Sequence, residues 1–94
     1  MIVAKIEKDH IADKFSGFES LVGKEWEANE GEYSGPNRHF RMYDDDGELY
    51  YEGWLIDDDD AMVQSEVLRW GMWDSGCTTL KILNNNNEWE QVIG

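Results

Sequence analysis

Apolar and polar residues alternate along several stretches of this 94-residue chain and recur at helical spacing in two others. Residues 2–6, Ile-Val-Ala-Lys-Ile, are short and β-branched and predict a first strand. Asp9 is a natural N-cap. After it Ile11, Phe15, Phe18 and Val22 recur at intervals of four, three and four, which predicts a helix ending at Gly23. Gly17 works against that helix by about 1 kcal/mol relative to alanine. Residues 24–30 alternate again, with Trp26 and Ala28 on one face and Glu25, Glu27 and Asn29 on the other. Residues 31–37, with the single proline Pro36, predict a loop.

The strongest local signal is Asp46-Gly47 between two aromatic-rich runs, which predicts a hairpin with a two-residue type I′ turn. That turn fixes a register. His39 faces Trp54, Arg41 faces Glu52 and Tyr43 faces Tyr50 on one side of the sheet. On the other side Phe40 covers Gly53 and Met42 meets Tyr51. Opposite charges, paired aromatics and an aromatic over a strand glycine all favour this alignment.

Residues 60–70 fit a helix through Ala61, Val63, Val67 and Trp70, with Arg69 and then Gly71 at its end; a strand over 65–70 competes. The segment Trp70-Gly71-Met72-Trp73-Asp74-Ser75-Gly76 predicts a loop. Residues 77–83 and 88–93 predict a last hairpin about the four asparagines 84–87, because asparagine tolerates left-handed backbone. One domain over residues 1–94 follows. Its class is α+β: a small curled antiparallel sheet of five to six strands with one or two short helices, a small β-barrel being the alternative.

Composition supports a packed core, since 40% of residues are hydrophobic and five are tryptophan. One cysteine, Cys77, excludes an internal disulfide and a multi-cysteine zinc site. The N-terminal apolar stretch is too short for a secretory or transmembrane segment, so a cytoplasmic protein is expected.

Charge adds the sharpest constraint. The net charge is −13, from 21 acids and 8 bases, and residues 1–24 sum to zero. From Asp44 to Glu66 there are ten acids and no base. Such a field repels nucleic acid and anionic membrane and favours a basic protein partner. The Asp44-Asp45-Asp46-Gly47 run does not complete a calcium loop. With Gly47 at position 6, Met42 and Gly53 fall where an aspartate and a bidentate glutamate belong.

The candidate partner-binding residues are Glu25, Glu27, Asp57, Asp58, Asp59, Asp60, Glu88 and Glu90 as charge, with Trp70 and Trp73 as apolar anchors. Each has a plainer role. Four adjacent aspartates suit a solvated helix start, strand glutamates protect sheet edges, and tryptophans fill small cores. His39 and Cys77 are the candidates for an enzymatic or ligand-binding pocket, but no nucleophile, phosphate or metal motif accompanies them, and no catalytic residue, metal or cofactor is assigned.

The strings FRMYDDDGELYYEG (40–53) and GCTTLKI (76–82), with Trp89-Glu90 near the end, resemble short uncharacterised bacterial and phage proteins. Their pattern is F-R-x-x-D-D-D-G-x-x-Y-x-E-G followed by G-C-T. The resemblance covers the C-terminal two-thirds and implies no activity, so it transfers no functional residue. The acidity is similar, in composition alone, to that of phage-encoded DNA-mimic inhibitors. The expected function is therefore a non-enzymatic acidic binding protein that occupies a basic, nucleic-acid-binding surface of a partner. The alternatives are an aromatic pocket near Cys77 and His39, and a homo-oligomer whose acidity serves solubility.

Overall fold

The computed structural model describes residues 1–15 and 17–93. In chain order the elements are β1 (Ile2–Asp9), α1 (His10–Lys14), β2 (Glu25–Glu27), β3 (Asn37–Tyr43), β4 (Leu49–Ile56), α2 (Met62–Ser75), β5 (Thr79–Leu83) and β6 (Trp89–Ile93). Six strands form one antiparallel sheet in the order β2-β1-β4-β3-β5-β6. The sheet is curled and not closed into a barrel, so the α+β expectation holds and β2 and β6 are its edges. Among the described residues no helix is long and apolar enough to cross a membrane.

The strand period of two sorts the sheet into two faces. Ala4, Ile6, Phe40, Met42, Tyr51, Leu55, Leu80 and Ile82 are buried with Val63, Val67 and Leu68 of α2 in one core. The alternate residues His39, Arg41, Tyr43, Glu52, Trp54 and Lys81 lie on the face that α2 does not cover.

The β3–β4 register is the expected one for four pairs: His39–Trp54, Phe40–Gly53, Arg41–Glu52 and Met42–Tyr51. Tyr43 pairs with Leu49 rather than Tyr50, because the turn is not type I′. Only Gly47 has positive φ (77°). The Gly47 amide donates to the Asp44 carbonyl and the Asp44 amide to the Glu48 carbonyl, which is a type I turn closed by a glycine bulge. The Asp44 carboxylate accepts from the amides of Asp46 and Glu48 at 2.9 Å each, and this fixes the loop.

The last hairpin repeats this plan residue for residue. The Asn84 side chain accepts from the amides of Asn86 and Glu88, and Asn87 takes the left-handed position at φ 59°. Glycine suits that position better, so Asn87→Gly should raise stability by about 0.5 kcal/mol or leave it unchanged. A urea midpoint clearly below wild type would show that Asn87 is held there by more than its backbone.

The helix expected from Asp9 to Val22 is much shorter. Asp9 caps α1, but the chain leaves the helix at Phe15, whose backbone is extended; Ser16 lies outside the described residues. Phe15, Phe18 and Val22 are exposed rather than forming a buried stripe. The cause is competition from β1: Ile6 donates to the Lys24 carbonyl and accepts from the Gly23 amide. A helix continued to Val22 would forfeit those bonds.

Residues 60–70 are helical, not strand, and α2 runs on through the Trp70–Ser75 segment expected as loop. Gly71 does not stop it. A Cβ there would lie 2.7 Å from the Met42 sulfur and 3.2 Å from the Cys77 Cβ, so glycine allows the helix to close on the sheet. Gly76, at φ 77°, ends the helix instead.

Candidate functional site

The four consecutive aspartates have different roles. Asp57 accepts from the Arg38 guanidinium at 2.8 Å and from the Gln64 amide at 2.6 Å. Asp58 is buried and accepts from the amides of Met62 and Val63, so it caps α2 in place of Ala61, which is left-handed and makes no side-chain cap. Asp59 and Asp60 are exposed and make no hydrogen bond or ion pair among the described residues. They are the part of the run that the fold leaves unengaged among the described residues.

The two glutamate rows do not converge with them. Glu25 and Glu27 lie on β2, Glu90 lies on β6 and Glu88 just precedes it, at opposite edges of the sheet. Five strand spacings of about 4.8 Å separate those edges along the sheet, roughly 24 Å. Glu25 pairs across the strands with Lys5. Charged residues on both edge strands block edge-to-edge association, which accounts for these rows without a ligand.

The tryptophans gather around α2 and β2. Trp70 is half-buried, with its ring 5.1 Å from that of Tyr51 and 5.3 Å from that of Trp26 at 87°. Trp73 is 88% exposed, and Met62 and Met72 on the same helix are also exposed. A cleft of about 370 Å³ is lined by Trp26, Glu66, Arg69, Trp70 and Trp73. Trp26 and its neighbour Lys24 were not among the residues expected from sequence. The alternation that turned Trp26 away from Glu25 and Glu27 was their only signal. Beside the first half of α2, burial and then the charges of Glu66, Glu32 and Asp58 push the Tyr33 phenol up. Of these carboxylates Glu66 also lines the tryptophan cleft, whereas Asp58, Asp59 and Asp60 lie before the start of α2.

The Cys77–His39 pair is not assembled. Cys77 is fully buried on the α2 side, and burial pushes its thiol up to about 11 despite a contact with the Ser75 hydroxyl at 3.7 Å. His39 alternates with Phe40 and so lies on the opposite face of the sheet. A buried protonated thiol is a packing residue, not an activated nucleophile. Among the described residues no group of three or more histidine, cysteine or carboxylate side chains converges as a metal site.

The uncovered face carries its own charge network. Glu52 accepts from Arg41 Nε at 2.8 Å, and its other oxygen lies 2.7 Å from His10 Nε2. The Arg41 guanidinium stacks on the Trp89 ring at 4.1 Å. Burial opposes the charge on Glu52, but the bonds from Arg41 and His10 outweigh it and hold its carboxyl below the usual range. The bond to Glu52 in turn raises Arg41.

A carboxyl whose pKa is lower in the folded state adds stability above its unfolded value, near 4.5. That stability is lost as pH falls through the lower folded value. The gap in unfolding free energy between wild type and Glu52→Gln should be on the order of 1 kcal/mol near neutrality and should shrink as pH falls below 4.5 and through the lower folded value. A gap that stays constant with pH would show that Glu52 acts through packing alone.

A second cleft of about 380 Å³, between α1 and β4, holds Phe15, Phe18, Tyr50, His10 and the Lys14–Glu48 ion pair. Its His10, Lys14 and Glu48 are ion-paired, its Asp74 accepts from the Tyr51 hydroxyl, and neither Asp59 nor Asp60 lines it. Comparison of the chain with protein-family models, with curated proteins and with solved structures gives no match.

Proposed function

We propose that this chain is a non-enzymatic binding protein that docks the outer face of α2 on a basic surface of a partner protein, of the kind that otherwise holds nucleic acid. The observation that carries the reading is Trp73. An indole 88% exposed on a regular helix contributes little to folding, whereas tryptophan is among the residue types most enriched in binding hot spots. Glu66 lines the same cleft as that anchor, opposite Arg69, and Asp59, Asp60 and Glu32 add acid charge toward the start of the helix, roughly 20 Å along its axis from Trp73. Such charge speeds encounter with a basic surface and makes the complex sensitive to salt. Glu25, Glu27, Glu88 and Glu90 are left out of the docking face because they lie on the sheet edges, and Asp57 and Asp58 because their oxygens are engaged.

The test compares low-salt affinity captures by wild type, Trp73→Ala and an Asp59→Lys/Asp60→Lys double variant. A basic protein held by wild type and lost from both variants supports the reading. The same proteins held equally by all three baits sink it. Self-association through this face is the competing outcome. A sedimentation mass of two chains that falls to one in Trp73→Ala would replace a foreign partner with a second copy.

A further inference from the structure

We infer that the corner between Trp26 and Trp70 is a cation box that receives a lysine or arginine side chain of the partner, and that Lys24 occupies it in the free protein. The inference rests on the docking face proposed above. The two indoles stand 87° apart with centroids at 5.3 Å, so their faces form two walls of a corner. The Lys24 ammonium lies 4.8 Å from the Trp26 centroid and 5.4 Å from that of Trp70, within the roughly 6 Å over which a cation is drawn to a ring face.

In a chain with 21 acids, Lys24 makes no ion pair among the described residues. Lys24 is half-buried and its ammonium lies against both rings, the kind of group the corner accepts. Trp26 and Trp70 pack against the core and Trp70 also meets Tyr51, so the walls are set before any guest arrives. The same two indoles also line the adjoining cleft with Trp73, Glu66 and Arg69, so an exposed third ring and a carboxylate lie beside the corner. Arg69 is the rim residue of the wrong sign. Its charge repels a cationic guest, while Lys24 competes by occupying the corner, and both lower the apparent affinity.

The experiment is calorimetric titration with hexalysine at low salt. Lys24→Ala frees the corner and should bind hexalysine roughly threefold or more tightly than Lys8→Ala, which removes the same charge on the uncovered face. Arg69→Ala should shift the same way. Trp73→Ala, at a position too exposed to disturb the core, should bind roughly threefold or more weakly. If Lys24→Ala and Lys8→Ala bind alike and Trp73→Ala matches wild type, hexalysine is held by charge alone; the box is then overturned while the acidic docking reading stands. If neither wild type nor Lys24→Ala binds hexalysine, both fall.

Discussion

Gly53→Ala should be the most damaging single methyl that can be added to this protein. Gly53 lies in β4, between β1 and β3, and pairs with Ile6 on one side and Phe40 on the other. A Cβ at that position would overlap the backbone carbonyl of Lys5 and lie 2.9 Å from the Phe40 ring carbon Cε2. Neither neighbour has room to move. One is main chain in a paired strand, and the other is a fully buried aromatic.

The expected loss is at least about 3 kcal/mol. A domain of this size has only roughly 5–14 kcal/mol in all. Urea unfolding should show a much lower midpoint with little change in slope. A variant within about 1 kcal/mol of wild type would mean that β1 and β4 separate more easily than their pairing implies.

Asp9→Ala should have the second-largest effect. Asp9 is almost completely buried. One carboxylate oxygen accepts from the amides of Ile11 and Ala12, and the other accepts from the amide of Leu21, each at 3.0 Å. The side chain thus caps α1 and ties the 21–24 return segment to the end of β1. Alanine would strand three donors, a loss of about 2–4 kcal/mol when the cap and the desolvated amides are taken together. Asp9→Asn keeps one acceptor and should lose roughly half as much. Amide exchange at Leu21 separates this account from a general loss of stability, because it should speed up more than exchange at Phe40. A uniform increase across the chain would remove the tie to Leu21 from the explanation.

These two residues show how far sequence reading reaches. Asp9 was legible as a cap, because its oxygen reaches amides two and three positions ahead and that geometry is local. Its bond to Leu21 was not, since it joins residues twelve apart through a chain reversal that no periodicity encodes. Phe40 over Gly53 was legible for the same local reason, the hairpin having set the register. The Lys5 carbonyl that makes Gly53 irreplaceable comes from β1, almost fifty residues earlier. The turn differs from the expected one because Asp-Gly fits both a two-residue type I′ turn and a type I turn with a glycine bulge, and the Asp44 side chain selects the longer loop.

The same division runs through the candidate site. The acid surplus and the tryptophan-rich 70–73 segment are plain in the sequence, and so is the antiparallel, α+β character that alternation and turn chemistry dictate over short spans. What each acid does depends on its neighbours in space. Asp57 and Asp58 are consumed by Arg38, Gln64 and the start of α2, while Asp59 and Asp60 stay free. Strand order sends the two glutamate rows to opposite edges. The extension of α2 past Gly71 turns an expected loop into a helix that presents Trp73 outward and brings Trp70 against Trp26. Local pattern fixed which segments are strands and where charge accumulates, because those follow from backbone geometry and composition. Only tertiary packing decided which charges remain unpaired and which aromatics meet, because both depend on contacts between segments far apart in the chain.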